Sequence, residues 1–178
     1  MKVLIACEYS GIVRTAFKQL NFDAWSCDIL PTEIPGQHIQ DNVLNHLDKG
    51  WDLMIAHPPC THLAVSGARW FKEFVKKLLD APINKIALEN PISIISSKIR
   101  KPDQIVQPYF FGDKFSKKTC WWLKNLQKLK PTNIVEKGEF VIHGGKKIPK
   151  WYSNRERQRD KTFPGMAKAI AEQWGSKI

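Results

Sequence analysis

Cysteine is sparse in this 178-residue chain: Cys7, Cys27, Cys60 and Cys120 lie far apart, and no two form a C-x-x-C pair. That spacing argues against a disulfide framework and for reduced thiols. Long apolar runs are also missing, and none approaches the roughly 20 residues needed to span a bilayer. The N-terminal stretch MKVLIACEYSG is broken by Glu8, and no signal-like cleavage pattern follows it. A cytoplasmic protein with no membrane partner is expected. No internal repeat or convincing linker divides the sequence, so residues 1–178 are expected to form a single domain. Acidic residues are the scarcer charge, 17 against 28 basic ones, leaving a net charge of +11. An excess of this sign favours an anionic partner, nucleic acid or nucleotide, over a neutral one.

What is present alternates between two periods. KVLIACE (2–8), FDAWSCDI (22–29), WDLMIAH (51–57) and KIALENP (85–91) are short apolar runs suited to strands buried on both faces. IVRTAFKQL (12–20), with Ile12, Ala16, Phe17 and Leu20 on one face, and ARWFKEFVKKLLDA (68–81) read as helices. LPTEIPGQHIQDN reads as a loop, VLNHLDKG as a short helix closed by Gly50, and ISIISSKI as a short helix or irregular. TCWWLKNL (119–126) suits a strand or a mixed edge element. PGMAKAIAEQWG (164–175) has proline at its start and glycine at its end, as a helix should. The strand–helix–strand spacing predicts an α/β fold, Rossmann-like, with a mainly parallel sheet and helices on both faces.

In such a sheet ligands bind outside the carboxyl ends of the strands. Four polar features fall there: Glu8-Tyr9-Ser10-Gly11, Asp28, His57-Pro58-Pro59-Cys60-Thr61-His62, and Glu89-Asn90-Pro91. Taken alone, Cys60 has three readings. It is a buried inert thiol, a nucleophile whose pKa the neighbouring imidazoles and a helix start could lower, or a metal ligand beside His57 and His62. The metal reading lacks the fourth ligand of a closed zinc site, and no metal is expected.

A strand ending in Pro-Pro-Cys, followed about thirty residues on by one ending in Glu-Asn-Pro, resembles the cytosine-5 DNA methyltransferase family. The resemblance extends from end to end to small phage-type members with a minimal target-recognition region, and implies host cytoplasm for a phage-encoded chain. It implies that Cys60 is the nucleophile that adds to C6 of cytosine. Glu89 would be the acid that contacts N3 and the exocyclic amine, and Asn90 would belong to the substrate site. The adduct gives C5 enamine character, so the thiol is what lets a poor nucleophile accept a methyl group. The first strand, loop, helix and second strand resemble the family's S-adenosylmethionine site. The resemblance implies cofactor contacts from Glu8, Tyr9, Ser10, Gly11, Asp28 and Pro58. Lys117 and Lys118 fall where the family has an arginine pair that contacts base and phosphate; lysine keeps the charge and loses the bidentate geometry.

Two departures stand out. Glu8, Tyr9 and Ser10 replace the family's run of glycines. Only about thirty residues, 124–153, rich in lysine, occupy the interval of its target-recognition domain. They include Lys124, Lys128, Lys130, Lys146, Lys147 and Lys150 and end in Trp151-Tyr152, while Arg155 and Arg157 follow as candidate phosphate contacts. Extensive duplex reading by so short a segment is not expected. Relaxed specificity, a single-stranded target or a protein partner supplying recognition would each fit. Against the methyltransferase reading stand C5 modification with another one-carbon donor, a free-nucleotide substrate, and a non-catalytic DNA-binding relative.

Overall fold

The computed structural model describes residues 1–59, 68–150 and 161–176. In chain order the elements are β1 (Lys2–Ala6), α1 (Ile12–Gln19), β2 (Asp23–Asp28), β3 (His38–Gln40) and a 3-10 turn at Val43–His46. Next come β4 (Leu53–Ala56), α2 (Ala68–Leu79), β5 (Lys85–Asn90), α3 (Ile94–Lys98), β6 (Gln104–Val106) and a second 3-10 turn at Pro108–Phe110. The chain continues through β7 (Thr119–Lys124), β8 (Phe140–His143) and β9 (Lys146–Pro149) to α4 (Pro164–Gly175).

Seven strands form one sheet in the order β3-β2-β1-β4-β5-β7-β6. β1, β2, β3, β4 and β5 run parallel, and β7 is antiparallel to both β5 and β6. Strict alternation sends successive side chains to opposite faces. Val3, Ile5, Leu53, Ile55, Ala87 and Trp121 pack under α1 and α4, whose Val13, Phe17, Met166, Ile170 and Trp174 complete that layer. Leu4, Ala6, Met54, Ala56, Ile86, Leu88 and Trp122 pack under α2 and α3 through Phe71, Val75, Leu78 and Ile95. Both faces are therefore apolar, which is why the strands read as continuous hydrophobic runs. The Rossmann-like sheet with helices on both faces agrees with the sequence expectation.

Several local readings change. TCWWLKNL lies inside the sheet between β5 and β6, and the edge is β6, whose three residues are too short to show a pattern. The stretch read as a loop after β2 contains the edge strand β3. Leu20 is not part of the buried face of α1; it is the C-cap and is exposed. The short helix expected at 43–50 is one 3-10 turn whose start is capped by Asn42, the side-chain oxygen accepting from the Leu44 N–H. The basic interval after β7 contains a separate two-stranded sheet, β8 with β9.

Arg14 joins α1 to the sheet and to the segment after β2. It is 1% exposed. Its Nη1 donates to Ser26 Oγ at 2.7 Å and Thr32 Oγ1 at 3.2 Å, and its Nη2 donates to the Ile34 carbonyl. A Cβ on Gly11 or Gly36 would lie 2.7 Å or 3.0 Å from this guanidinium, so both glycines make room for it. Of these acceptors only Ser26 is fully buried, Thr32 being half-buried and Ile34 exposed, so replacing Arg14 with Leu costs about 1–3 kcal/mol for the one buried group that loses its donor. We expect Arg14→Leu to lose about 1–3 kcal/mol in urea unfolding, and Arg14→Lys, which cannot span the same fork, to recover only part of it. A neutral result for Arg14→Leu would remove Arg14 from this structural role.

Candidate functional site

Parallel register brings the ends of β1, β2, β4 and β5 to one edge of the sheet. At the end of β1, Cys7 adopts a left-handed conformation with φ 58° and turns the chain toward Gly11, itself at φ 76°. No side chain at the N-cap position of α1 caps the helix. Glu8, buried at 6% exposure, does so instead: Oε1 accepts from the Val13 N–H at 2.7 Å and Oε2 from the Arg14 N–H at 3.2 Å. Ser10 Oγ adds a third bond to Oε1 at 3.2 Å. A carboxylate at a helix N-terminus satisfies orphan amides and the helix dipole together. The Glu8 carboxylate is thus engaged within the fold, and the space over Gly11 is taken by Arg14 and Ile34.

A small cavity remains beside these residues, lined by Cys7, Glu8, Tyr9, Ser10, His57 and Thr162. It runs from the end of β1 to the end of β4. Asp28 closes β2 next to it, half-buried, with Oδ1 accepting from the Leu30 N–H at 2.9 Å. Burial holds the Asp28 carboxyl above its ordinary range, opposed by its hydrogen bonds to Leu30 and Ile29 and by His38. Ile29 and Leu30 follow it into solvent at 73% and 49% exposure.

The ends of β4 and β5 meet through two bonds. Asn90, 1% exposed, donates from Nδ2 to the Pro58 carbonyl at 2.9 Å, tying the Glu-Asn-Pro turn to the first residue of Pro58-Pro59. His57 Nδ1 lies 3.3 Å from Glu89 Oε2, with side-chain exposures of 9% and 14%. An ionised carboxylate only accepts, so the ring proton sits on Nδ1 in this contact. The His57 ring packs edge-on against Trp121 at 6.3 Å, and Trp121 in turn against Trp174 of α4 at 5.0 Å. Burial alone would raise the Glu89 pKa. The His57 hydrogen bond and the charges of Lys117 and His57 outweigh it, holding the carboxyl below the ordinary range. Among the described residues, His57 Nε2, Glu89 Oε1 and Asn90 Oδ1 are buried with no hydrogen-bond partner. Native interiors rarely leave such atoms unpaired, and three of them on two adjacent strand ends point to a ligand site.

The structure therefore gathers Glu8, Tyr9, Ser10, Gly11, Asp28, Pro58, Glu89 and Asn90 on one edge, with Lys117 close enough to act on Glu89. Lys118 is exposed beside it. Cys60, His62, Arg155 and Arg157 lie outside the described residues. Two partnerships were not read from the sequence: that of His57 with Glu89, and that of Arg14 with Ser26 and the segment after β2. The only available signal for Arg14 was a charge next to the apolar Val13 on a short helix.

The remaining thiols are poorly suited to chemistry. Burial pushes Cys7 far above the ordinary thiol range, helped by Asp28 and Cys27. Cys27 is pushed up to about 12 by burial, Asp41 and Asp28. Cys120 is raised by burial and by Glu89.

The chain is similar in structure to an E. coli protein, inferred to be a DNA modification methyltransferase encoded within a prophage, with a TM-score of 0.58 and 16% identity. The match covers 76% of this chain and 52% of that one, so the chain spans about half of the neighbour's length. The likeness establishes the fold, a methyltransferase-like α/β sheet. No protein-family model and no curated protein matches the sequence. None of the described helices is long and apolar enough to cross a membrane.

Two measurements follow from this geometry. Because the folded Glu89 carboxyl lies below its unfolded value, its contribution to stability is present above the unfolded carboxyl range and lost as pH falls through the folded pKa. The stability advantage of wild type over Glu89→Gln should therefore shrink on acidification, and a carbon-13 titration of Glu89 should move upward in His57→Ala. A pH-independent gap, or an unmoved titration, would contradict the contact. Native alkylation at pH 8 followed by peptide mapping should leave the buried Cys27 and Cys120 unlabelled and label the half-buried Cys7 only slowly; rapid labelling of Cys27 or Cys120 contradicts its burial.

Proposed function

We propose that this chain is a DNA-modifying methyltransferase that transfers a methyl group from S-adenosylmethionine to C5 of cytosine through Cys60. The observation that carries the reading is the bond from Asn90 to the Pro58 carbonyl. It joins the strand end leading into Cys60 to the strand end bearing Glu89, within a methyltransferase-like sheet. The +11 net charge suits a polyanionic substrate, and a base inside a duplex would have to leave the stack to reach Cys60.

The chemistry follows from the residues. The Cys60 thiolate adds to C6, making C5 nucleophilic, and C5 takes the methyl group. Loss of the C5 proton to a base then breaks the C6–S bond and returns the thiolate. Glu89, oriented by His57, accepts from the exocyclic amine; as N3 becomes basic in the adduct, a proton taken up from solvent is shared between the Glu89 carboxyl and N3, and it returns to solvent when the adduct collapses. His57 orients the Glu89 carboxylate, and Asn90 fixes the approach of the Pro58-Pro59 segment. Lys117 offers a charge beside the base, and Lys118, Arg155 and Arg157 offer charges to phosphates.

The donor site fits in part. Asp28 suits ribose hydroxyls, exposed Ile29 and Leu30 suit a flat heteroaromatic face, and the cavity from Tyr9 to His57 leads toward Glu89. S-adenosylmethionine supplies an electrophilic methyl group when bound. Glu8 and Gly11 are committed to capping α1 and seating Arg14, so the remaining contacts would come from the chain at Tyr9 and Ser10 and from Pro58. That commitment also favours a second reading, in which another one-carbon donor gives a different C5 substituent.

Wild-type protein should form a covalent complex with an oligonucleotide containing 5-fluorocytosine, and Cys60→Ser should form none; full trapping by the variant would sink the assignment. Glu89→Gln should lower turnover by about 10²–10⁴. Asp28→Ala should weaken donor binding by roughly tenfold or more in calorimetry. Mass spectrometry of treated nucleosides separates 5-methylcytosine from any other product.

A further inference from the structure

The basic segment after β7 is not a featureless loop. β8 and β9 form a two-stranded antiparallel ribbon outside the main sheet, pairing Phe140 with Pro149, Val141 with Ile148, Ile142 with Lys147 and His143 with Lys146. Gly144 and Gly145 make the two-residue turn at φ 56° and 74°, the conformation that a type I′ hairpin requires. A Cβ added to either would meet nothing within 4 Å. These glycines therefore serve backbone shape rather than close packing, and the tip stands clear of the described protein.

One face of the ribbon carries an unusual exposure. Ile142 is 71% exposed, and Phe140, two residues back on the same face, is 37% exposed. Lys147 stands opposite Ile142, with its ammonium 5.2 Å from the Phe140 ring. Lys146 is exposed at the turn. Lys150, at the base, instead pairs with Glu139 at 2.6 Å. An apolar side chain as exposed as Ile142, flanked by ammonium groups, suits a partner that is anionic along its edges and less polar between them. A nucleic-acid duplex has that character, with phosphates bordering a groove floored by base edges.

We infer that the β8–β9 ribbon is a duplex-DNA docking element that enters the major groove tip first, with Lys146 and Lys147 on phosphates and Ile142 against base edges. Dimensions agree. Four residues per strand at about 3.3 Å each give a ribbon about 13 Å long, enough to reach the floor of a groove about 8.5 Å deep, and two strands about 4.8 Å apart pass within its width of about 12 Å. The choice of DNA as partner rests on the proposed function, but the docking itself needs neither donor nor catalysis.

The test is equilibrium binding to a labelled duplex and to its single strand, without donor, over a range of salt. Each phosphate contact adds about 0.9 to the slope of log affinity against log salt. Lys146→Ala/Lys147→Ala should therefore reduce the duplex slope by about 1.8, and Ile142→Ser should weaken duplex binding several-fold with the slope unchanged. The control is Lys76→Ala/Lys77→Ala on α2, an equal charge change at exposed positions elsewhere, which should leave the slope nearly intact. Equal effects from the two double variants would show only a diffuse basic surface and overturn the inference. Equal losses on duplex and single strand would overturn it in favour of a strand-independent phosphate contact. A protein that binds as stated yet makes no modified cytosine fails the methyltransferase reading and leaves the docking element standing.

Discussion

The parallel register of β1, β2, β4 and β5 is the constraint on which everything else depends. Ala6 lies beside Cys27 and Ala56, and Ala56 beside Leu88, so four chain segments leave the sheet at one edge and in the same direction. Every polar group of the candidate site sits within a few residues of those exits. Antiparallel pairing would have sent alternate segments to opposite edges. β7 does run the other way, and this serves the site differently. It enters the sheet from the functional edge, bringing Lys117 toward Glu89, while its Trp121 supports the His57 ring from beside β5.

Around that edge the protein commits some carboxylates to structure and leaves others available. Glu8 and Glu89 both end up buried near strand ends, yet their surroundings differ. Glu8 has three donors and spends its charge on the first turn of α1. Glu89 has His57 on one oxygen and, among the described residues, no hydrogen-bond donor on the other. An anion capped on both oxygens is a structural part, whereas one pinned on a single oxygen is oriented and still short of a partner. The same distinction separates the two halves of the Glu-Asn pair, since Asn90 donates its amide to Pro58 and keeps its oxygen unpaired.

Legibility in the sequence followed burial. β1, β2, β4 and β5 announced themselves because both of their faces pack, and α4 because Pro164 and Gly175 bound its apolar stripe. The three-residue strands β3 and β6 were invisible because they hold too few side chains to show a period. The β8–β9 ribbon was missed for a different reason. Its apolar residues do not serve a core, so Phe140 and Ile142 carry no signal of a buried face. At the site, the strand ends were readable as positions but not as partnerships. Nothing in one dimension says that Glu8 bonds forward to Val13 while Glu89 bonds across to His57. Cys60, Arg155 and Arg157 lie beyond the described residues, so their roles still rest on the sequence resemblance.

The two departures from the pattern of the family that the sequence resembles have a common physical character. A glycine run leaves backbone amides open to a ligand; here a carboxylate and a guanidinium fill the corresponding space, making the first βα turn self-sufficient. A large recognition domain provides a broad interface; here a ribbon of eight paired residues and a tip of two glycines stand in that interval. Each change exchanges extended ligand contact for local rigidity. So small a contact cannot discriminate many base pairs, because each well-made base contact is worth only about 1–3 kcal/mol. On the proposed function, selectivity would then come mainly from the strand ends bearing Glu89 and His57, and the protein would choose the base more strictly than the sequence around it.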